Sequence, residues 1–249
     1  MDALEVGYRL IDTASAYFNE KAVGDAIKES GINRKELFIT TKLWISQYGY
    51  EKTKKSFEES MEKLQLDYLD LYLLHQAYND YYGSWRAMEE LYEAKKIRAI
   101  GVCNFYPDRF VDFAEHNKIK PAVNQIETHP FFQREYDDKI MKEYGTQIES
   151  WGPFAEGRGD MFTNPILSEI GKKYNKSVAQ VILRWLIQRN VVVIPKSVHK
   201  ERMIENFNIF DFELSEDDMN KIKTMDMGKS LFFSHSDVEI VKFMISHKL

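Results

Sequence analysis

Cysteine is almost absent from this sequence, in which Cys103 is the only one among 249 residues. A single cysteine cannot form an internal disulfide, which is typical of proteins from a reducing compartment. It cannot build the usual zinc site either, and His129 and His199 do not show the spacing of metal ligands. We therefore expect a cytoplasmic protein without a metal ion.

Long apolar runs and blocks of one charge are absent too. No run approaches the roughly 18 residues of a membrane span, and the opening MDALEVGYRL carries acids where a signal peptide needs positive charge. The 34 basic and 39 acidic residues are spread along the chain, so no nucleic-acid-binding surface is indicated. We expect no membrane and no nucleic-acid partner, and because nothing in the chain requires a second subunit, we expect a monomer.

The sequence does contain an alternation of short apolar runs with amphipathic segments. The runs are typical of strands, and some, such as VVVI, are apolar on both faces, which favours a parallel sheet covered by helices. The predicted strands lie at 8–11, 37–41, 68–74, 98–102, 122–126, 147–150 and 191–194. No linker or repeat divides them, so we expect a single barrel domain over residues 1–249.

After the last predicted strand we expect two helices followed by an aromatic tail, LFFSH. The alternating strands and helices fit the α/β class and a (β/α)8 TIM barrel, which needs one strand more than the seven counted here. Met1 to Val6 resembles the end of a helix with no strand before it, which places the shortfall at the N-terminus. A doubly wound open sheet is the alternative, but it requires a glycine-rich phosphate turn, and no GxGxxG occurs.

Polar or aromatic side chains stand where the predicted strands end, and a barrel collects such residues on one face. Taken singly, each has a plain structural interpretation as a turn cap, a packing group or a solvated charge. Their occurrence after every predicted strand favours a functional site. They are Asp12 with Tyr17, Lys42, His75, Asn104, Gln125, Trp151 and Lys196.

The first four of these residues suggest acid–base chemistry. A tyrosine with its ordinary pKa of about 10 is a poor acid at neutral pH. A nearby Lys42 cation would favour the Tyr17 phenolate and lower that pKa, and Asp12 could hold the lysine in place. His75 could donate a hydrogen bond to a carbonyl oxygen. Together the four would make a general acid that protonates a developing alkoxide.

Seven segments, in order and nearly end to end, resemble those of the aldo-keto reductases: GYRLIDTASAYFNE, FITTKLW, LYLLHQ, GVCNF, VNQIETHPF, WGPFAEG and IPKSVHKERMIEN. The resemblance is closest to the bacterial branch that includes the 2,5-diketo-gluconate reductases, because WGPFAEG has tryptophan where many relatives have tyrosine. It implies NADPH-dependent reduction of a small carbonyl substrate, an aldehyde or ketone, to an alcohol. It also implies a catalytic tetrad, with Tyr17 as proton donor, of Asp12, Tyr17, Lys42 and His75.

The same resemblance implies which residues bind the cofactor. Asn104 and Gln125 match the positions that bind the nicotinamide carboxamide, and Trp151 would stack on the ring. Lys196 and Arg202 would meet a 2′-phosphate, which favours NADPH over NADH. The implied cofactor-binding positions are Asn104, Gln125, Trp151, Gly152, Pro153, Phe154, Lys196, Ser197, Val198, Arg202, Glu205 and Asn206.

Two departures from the family pattern bear on function. Cys103 stands where serine usually precedes the asparagine, which weakens one carboxamide contact. Relatives begin with a β-hairpin, a first strand and a first helix, and we expect the hairpin, the strand and most of the helix, about 30 residues, to be missing here. The alternatives are therefore a catalytically impaired nucleotide-binding or interaction protein on a truncated barrel, or a gene fragment without function. In the tail, Phe232 and Phe233 could line the substrate mouth or simply pack against the barrel.

Overall fold

A computed structural model describes residues 1–247 and shows one parallel sheet of seven strands. The strands pair strictly in chain order, as β1 (Leu10–Asp12), β2 (Phe38–Leu43), β3 (Leu69–Leu74), β4 (Ile97–Cys103), β5 (Val123–Glu127), β6 (Gln147–Trp151) and β7 (Val192–Val193). A doubly wound sheet reverses its strand order at a switch point, so this order excludes that alternative. It confirms the predicted barrel architecture, and within residues 1–247 no ladder joins β7 to β1.

Helices alternate with the strands. They are α1 (Asp2–Val6), α2 (Glu20–Ser30), α3 (Tyr50–Leu64), α4 (Tyr81–Glu93), α5 (Pro107–His116), α6 (Glu135–Glu143), α7 (Pro165–Tyr174), α8 (Val178–Gln188), α9 (Lys200–Phe207), α10 (Glu216–Lys223) and α11 (Val238–Ser246). Three helices follow the last strand, so the prediction of two was wrong. The additional helix, α11, begins where the Asp237 carboxylate accepts hydrogen bonds from the backbone N–H groups of Glu239 and Ile240. None of the helices in the described part of the chain has the length and apolar character needed to cross a membrane.

Apolar side chains fill both faces of the sheet. The main core, with Trp85 and Trp185 among its largest members, packs the helices onto the sheet, whereas Leu73 and Cys103 belong to a second, smaller cluster. Leu73 pairs in register with Lys42, and Cys103 pairs with Gln125. The inner face of the curved sheet therefore changes from apolar to polar residues close to the carboxyl ends of its strands.

Asp70 is fully buried and ties β3 to both neighbouring strands. Its carboxylate accepts a 2.9 Å hydrogen bond from the backbone N–H of Ile39 in β2. It also forms 2.7 Å ion pairs with Arg98 in β4 and with Arg34, which precedes β2. Because a buried carboxylate without partners is costly, these contacts stabilise the order of β2, β3 and β4.

We predict that Asp70→Ala lowers the free energy of unfolding by about 2 kcal/mol, because a buried backbone N–H loses its charged acceptor. The loss of stability is no larger because Arg98, whose side chain is 62% exposed, can be hydrated by water once Asp70 is removed. Urea denaturation measures the change. The control is Asp67→Ala at an exposed acid, for which the change should stay below about 0.5 kcal/mol. Equal losses in the two variants would contradict this role of Asp70.

Candidate active site

The carboxyl ends of the first three strands bring together an acid, a lysine and a histidine. Asp12 ends β1, Lys42 is the next-to-last residue of β2, and His75 directly follows β3. The Lys42 side chain is fully buried, and its ammonium group pairs with the Asp12 carboxylate. The same ammonium donates a 3.0 Å hydrogen bond to the backbone carbonyl of Thr13. The structure therefore places Asp12 and Lys42 in contact, as the sequence predicts.

The charge of Lys42 is set by two opposing effects. Burial alone would lower its pKa, because a charged ammonium group loses its water. The negative charge of Asp12, together with Tyr17, outweighs burial and raises the pKa of Lys42 above its ordinary value of 10.5. Lys42 is therefore a cation at neutral pH and provides a fixed positive charge inside the barrel.

Tyr17 ends a short 3-10 turn, Ser15–Tyr17, just after β1, and the Lys42 ammonium lies 5.0 Å from the centre of its ring. The turn is held by the Ser15 hydroxyl, which donates a 2.9 Å hydrogen bond to the backbone carbonyl of Lys42. Loss of water at the hydroxyl raises the pKa of Tyr17, and Lys42 offsets only part of this rise. The sequence predicts that Lys42 lowers the pKa of Tyr17. This prediction is wrong in sign, because desolvation of the Tyr17 hydroxyl outweighs the Lys42 charge. Tyr17 is protonated at neutral pH, and with 49% of its surface exposed it is accessible to a substrate.

The His75 imidazole lies next to this phenol. Its ring meets Tyr17 edge-on, with 5.7 Å between ring centres, and Trp44 in the same way at 5.1 Å. Burial, reinforced by the charges of Lys42 and His235, lowers the pKa of His75 well below 6.5. The ring is therefore neutral at physiological pH and has one N–H to donate. Its buried Nδ1 has no hydrogen-bond partner within residues 1–247, so the ring keeps a bonding capacity that the protein does not use.

Asn104 connects His75 to Trp151. It follows β4 with a left-handed backbone (φ 61°), a conformation that asparagine tolerates better than most residues. Its side-chain amide donates a 3.3 Å hydrogen bond to the His75 carbonyl, and its amide oxygen accepts a 2.9 Å hydrogen bond from the Trp151 indole N–H. These contacts fix the Trp151 ring at the end of β6. The chain then turns at Gly152, whose φ of 60° is also left-handed, into Pro153 and Phe154.

Gln125 of β5 reaches across the barrel interior to β1. Its amide nitrogen donates one 3.0 Å hydrogen bond to Asp12 and another to Glu149 of β6. Glu149 was not among the residues predicted from the sequence, although an acid in the middle of the predicted strand 147–150 was an available signal. Burial, reinforced by the charge of Asp12, raises the pKa of Glu149 to about 7.

The residues predicted for the adenosine end lie around the N-terminus of α9. Lys196 and Arg202 are exposed, and among the described residues they form no ion pair and no side-chain hydrogen bond. Lys200, between them in sequence, pairs with Glu5 and, at 3.8 Å, with Asp2 of α1. Two uncompensated cations beside a helix N-terminus can bind an anionic group.

Four further predicted residues belong to the same segment. The Ser197 hydroxyl accepts a 3.0 Å hydrogen bond from the backbone N–H of His199, which turns the chain into α9. Val198 is 76% exposed, whereas Asn206 is buried and Glu205, before it, is half-buried. The contacts of the described residues do not join this surface directly to Tyr17, so the structure shows two separate groups.

The aromatic tail packs beside Trp151. The buried Glu127 carboxylate, at the end of β5, accepts hydrogen bonds from the Ser230 hydroxyl at 2.5 Å and from the Leu231 N–H at 3.0 Å. This attachment places the Phe232 ring 5.1 Å from the Trp151 ring. Phe232 therefore packs against the barrel and lines the site through one contact, and the sequence did not reveal Glu127 as its anchor.

The second tail phenylalanine has a different neighbour. Phe233 packs on His235, with 4.9 Å between ring centres. The His235 backbone is held by Tyr78, whose hydroxyl donates a 2.8 Å hydrogen bond to its carbonyl, and by the Tyr106 hydroxyl, which accepts from its N–H at 3.2 Å. Burial lowers the pKa of His235 to about 4, so this ring is neutral at physiological pH.

Comparisons with known proteins match most of the chain. Residues 1–226 match the family model described as the aldo/keto reductase family. The glyoxal reductase of Bacillus subtilis (strain 168) is 52% identical over 225 residues, which cover 90% of this chain and 80% of that protein. The methylglyoxal reductase DkgA of Escherichia coli (strain K12) is 42% identical over 232 residues, which cover 92% of this chain and 84% of that protein.

Solved structures show the same fold. MGS-M4, an aldo-keto reductase enzyme from a Medee basin deep-sea metagenome library, superposes with a TM-score of 0.93 at 44% identity, covering 95% of this chain and 88% of that chain. The NADPH complex of a mutant of Gox0644 superposes with a TM-score of 0.88 at 35% identity, covering 94% of this chain and 85% of that chain. The family match ends at residue 226, so Phe232 and α11 lie outside it.

We predict that Glu127→Ala loosens the tail, because Ser230 and Leu231 lose their common acceptor. A lost hydrogen bond to a charged group costs about 2 kcal/mol, which would make local opening about thirtyfold more frequent. Limited proteolysis followed by mass spectrometry measures cleavage within residues 227–237. Glu58→Ala, at an exposed acid of α3, is the control. Equal cleavage rates in both variants would show that Glu127 does not hold the tail.

Proposed function

Because the chain belongs to the aldo/keto reductase family, we propose that it is an NADPH-dependent oxidoreductase that reduces aldehydes or ketones to alcohols. The observation that carries this proposal is the protonated Tyr17 phenol beside the buried Lys42–Asp12 pair. The relatives named as glyoxal and methylglyoxal reductases support small carbonyl compounds as the substrate class. The NADPH complex of the Gox0644 mutant supports the choice of cofactor.

The chain's own residues can perform the proton chemistry of this reaction. Bound NADPH would supply a hydride ion to the carbonyl carbon. The carbonyl oxygen then takes the hydroxyl proton of Tyr17, which acts as the general acid. The Lys42 cation, held by Asp12, stabilises the phenolate that remains. Neutral His75 donates a hydrogen bond to the same oxygen and orients the substrate. In alcohol oxidation the Tyr17 phenolate accepts the proton instead.

The residues present also fit the cofactor. The Trp151 ring is held at the strand ends by Asn104 and can stack on a flat ring. Lys196 and Arg202 carry charges that the described residues leave uncompensated, and they can meet a 2′-phosphate. This supports NADPH over NADH. Gln125 remains proposed for the carboxamide, although its amide nitrogen already serves two carboxylates.

We further propose that the chain acts as a single-domain monomer in the cytoplasm. In support, Asp12, Tyr17, Lys42 and His75 are brought together within one chain. Cys103 is a buried free thiol, which fits a reducing compartment.

We predict that Tyr17→Phe lowers kcat for NADPH-dependent reduction of methylglyoxal at least about 100-fold, because the ring is kept and the proton donor is lost. Loss of NADPH absorbance measures turnover. Cofactor affinity, measured by quenching of tryptophan fluorescence, should stay unchanged. Tyr136→Phe, at a tyrosine that is 67% exposed, is the matched control and should keep full activity.

Two outcomes of this experiment would oppose the proposal. Retained turnover in Tyr17→Phe would exclude Tyr17 as the proton donor. NADPH binding by the native chain without turnover of any aldehyde or ketone would favour the catalytically impaired nucleotide-binding protein.

We predict that Lys196→Ala and Arg202→Ala each raise the KM for NADPH about tenfold, because each removes one charge-assisted contact to a phosphate. The KM for NADH should change little, and the effect should shrink at high salt. Lys139→Ala, at an exposed lysine of α6, is the control. An equal rise in KM for both cofactors would place these two side chains away from the 2′-phosphate.

A further inference from the structure

One ionisable group inside the barrel has no part in the proposed chemistry. Glu149 is 2% exposed and lies in the middle of β6. In the sheet it pairs in register with Gln125 on one side and with Val192 on the other. A buried acid is costly unless it is hydrogen-bonded, and Gln125 provides a 3.0 Å hydrogen bond.

Gln125 connects this acid to the candidate site. A primary amide nitrogen has two hydrogens, and here one goes to Glu149 and the other to Asp12. The amide oxygen lies 4.0 Å from the Cys103 sulfur, which can donate weakly to it. Two carboxylates therefore hold one amide between them, which fixes the direction in which its oxygen points.

We propose that Glu149 is a positioning residue of the active site, which holds the Gln125 amide against Asp12 and whose charge acts on the Asp12–Lys42 pair. The inference rests on the function proposed above. Through Glu149 the barrel interior influences the proposed proton donor, Tyr17, without contact with the substrate.

The groups that face Glu149 come from several strands. The charged or titratable ones are Asp12 of β1, Lys42 of β2 and Cys103 of β4. Its neighbour on β5 is the neutral Gln125, and its neighbour on β7 is an apolar valine. Because Lys42 is already paired with Asp12, burial and the Asp12 charge prevail, and they raise the pKa of Glu149 to about 7. Glu149 is therefore protonated below neutral pH and charged above it.

The consequence concerns the rate of proton transfer. Once Glu149 is ionised, a second negative charge lies near the Asp12–Lys42 pair and makes the Tyr17 phenolate less stable. Reduction forms this phenolate and alcohol oxidation starts from it, so ionised Glu149 slows both directions above neutral pH. Oxidation is the direction in which the effect is measured here, because it starts from the phenolate.

Glu149→Gln isolates this charge, because glutamine keeps an oxygen that can accept from Gln125. We expect kcat/KM for NADP⁺-dependent oxidation of an alcohol product to equal the native value at about pH 6, where native Glu149 is protonated. Above about pH 8 the variant should be about threefold faster than the native protein. Glu143→Gln, at an exposed acid of α6, is the control and should match the native profile.

A second measurement needs neither cofactor nor activity. The folded-state pKa of Glu149 lies above its ordinary value of 4.5, so the stability it contributes at low pH is lost as the pH rises toward about 7. The variant does not titrate. The difference in melting temperature, variant minus native, should therefore increase by about 5 °C between about pH 5 and about pH 8. The side-chain amide signal of Gln125, in NMR of protein labelled with ¹⁵N-glutamine, should shift with pH in the native protein and stay constant in the variant.

The outcomes separate this inference from the proposed function. If kcat/KM for alcohol oxidation has the same pH profile in the native protein and in the variant, the inference is overturned, even where both proteins are active. A difference in melting temperature that does not change with pH, or a Gln125 signal that titrates equally in both, overturns it regardless of activity. If the native chain reduces no carbonyl compound, the proposed function fails, and the melting and NMR results decide the inference alone.

Discussion

The buried ion pair between Lys42 and Asp12 is the interaction on which the rest of the site depends. An ammonium group without exposure to water is tolerated only when charge and hydrogen bonds compensate it, and here the compensation comes from Asp12 and the Thr13 carbonyl. These contacts join β1 to β2 and set the position of the turn that carries Tyr17. The same pair then affects which neighbouring groups can be charged. The Lys42 cation reinforces the burial that lowers the pKa of His75, and the Asp12 charge reinforces the burial that raises the pKa of Glu149.

Much of this arrangement was predictable from the sequence because parallel strands deliver their last residues to one end of the sheet. The seven apolar runs gave the strand order, and the residues after them gave Asp12, Lys42 and His75 as neighbours. Strand boundaries moved by only one or two residues. Lys196 was likewise predicted from its position after the last strand, whereas Arg202 was implied only by the family resemblance, and both are exposed in the structure.

The remaining features depend on distances that a sequence does not contain. The sign of the Tyr17 pKa shift follows from how much water reaches its hydroxyl, which pattern reasoning cannot measure. Glu149 and Glu127 lie in strands whose alternation would equally suit an acid facing solvent, and only the pairing with Gln125 and Ser230 shows them turned inward. The segment of α11 is short and apolar, so without its contacts it resembled part of a tail rather than a helix.

The attachment of the tail through Glu127 has an evolutionary consequence. The groups proposed to move protons lie at the ends of β1, β2 and β3. One wall beside Trp151 is instead a separate stretch of chain, held by Glu127 and, at His235, by Tyr78 and Tyr106. Such a stretch can lengthen, shorten or change its side chains while Lys42 and Tyr17 stay in place. Natural variation can therefore change the wall beside Trp151 while selection preserves the groups proposed to transfer protons.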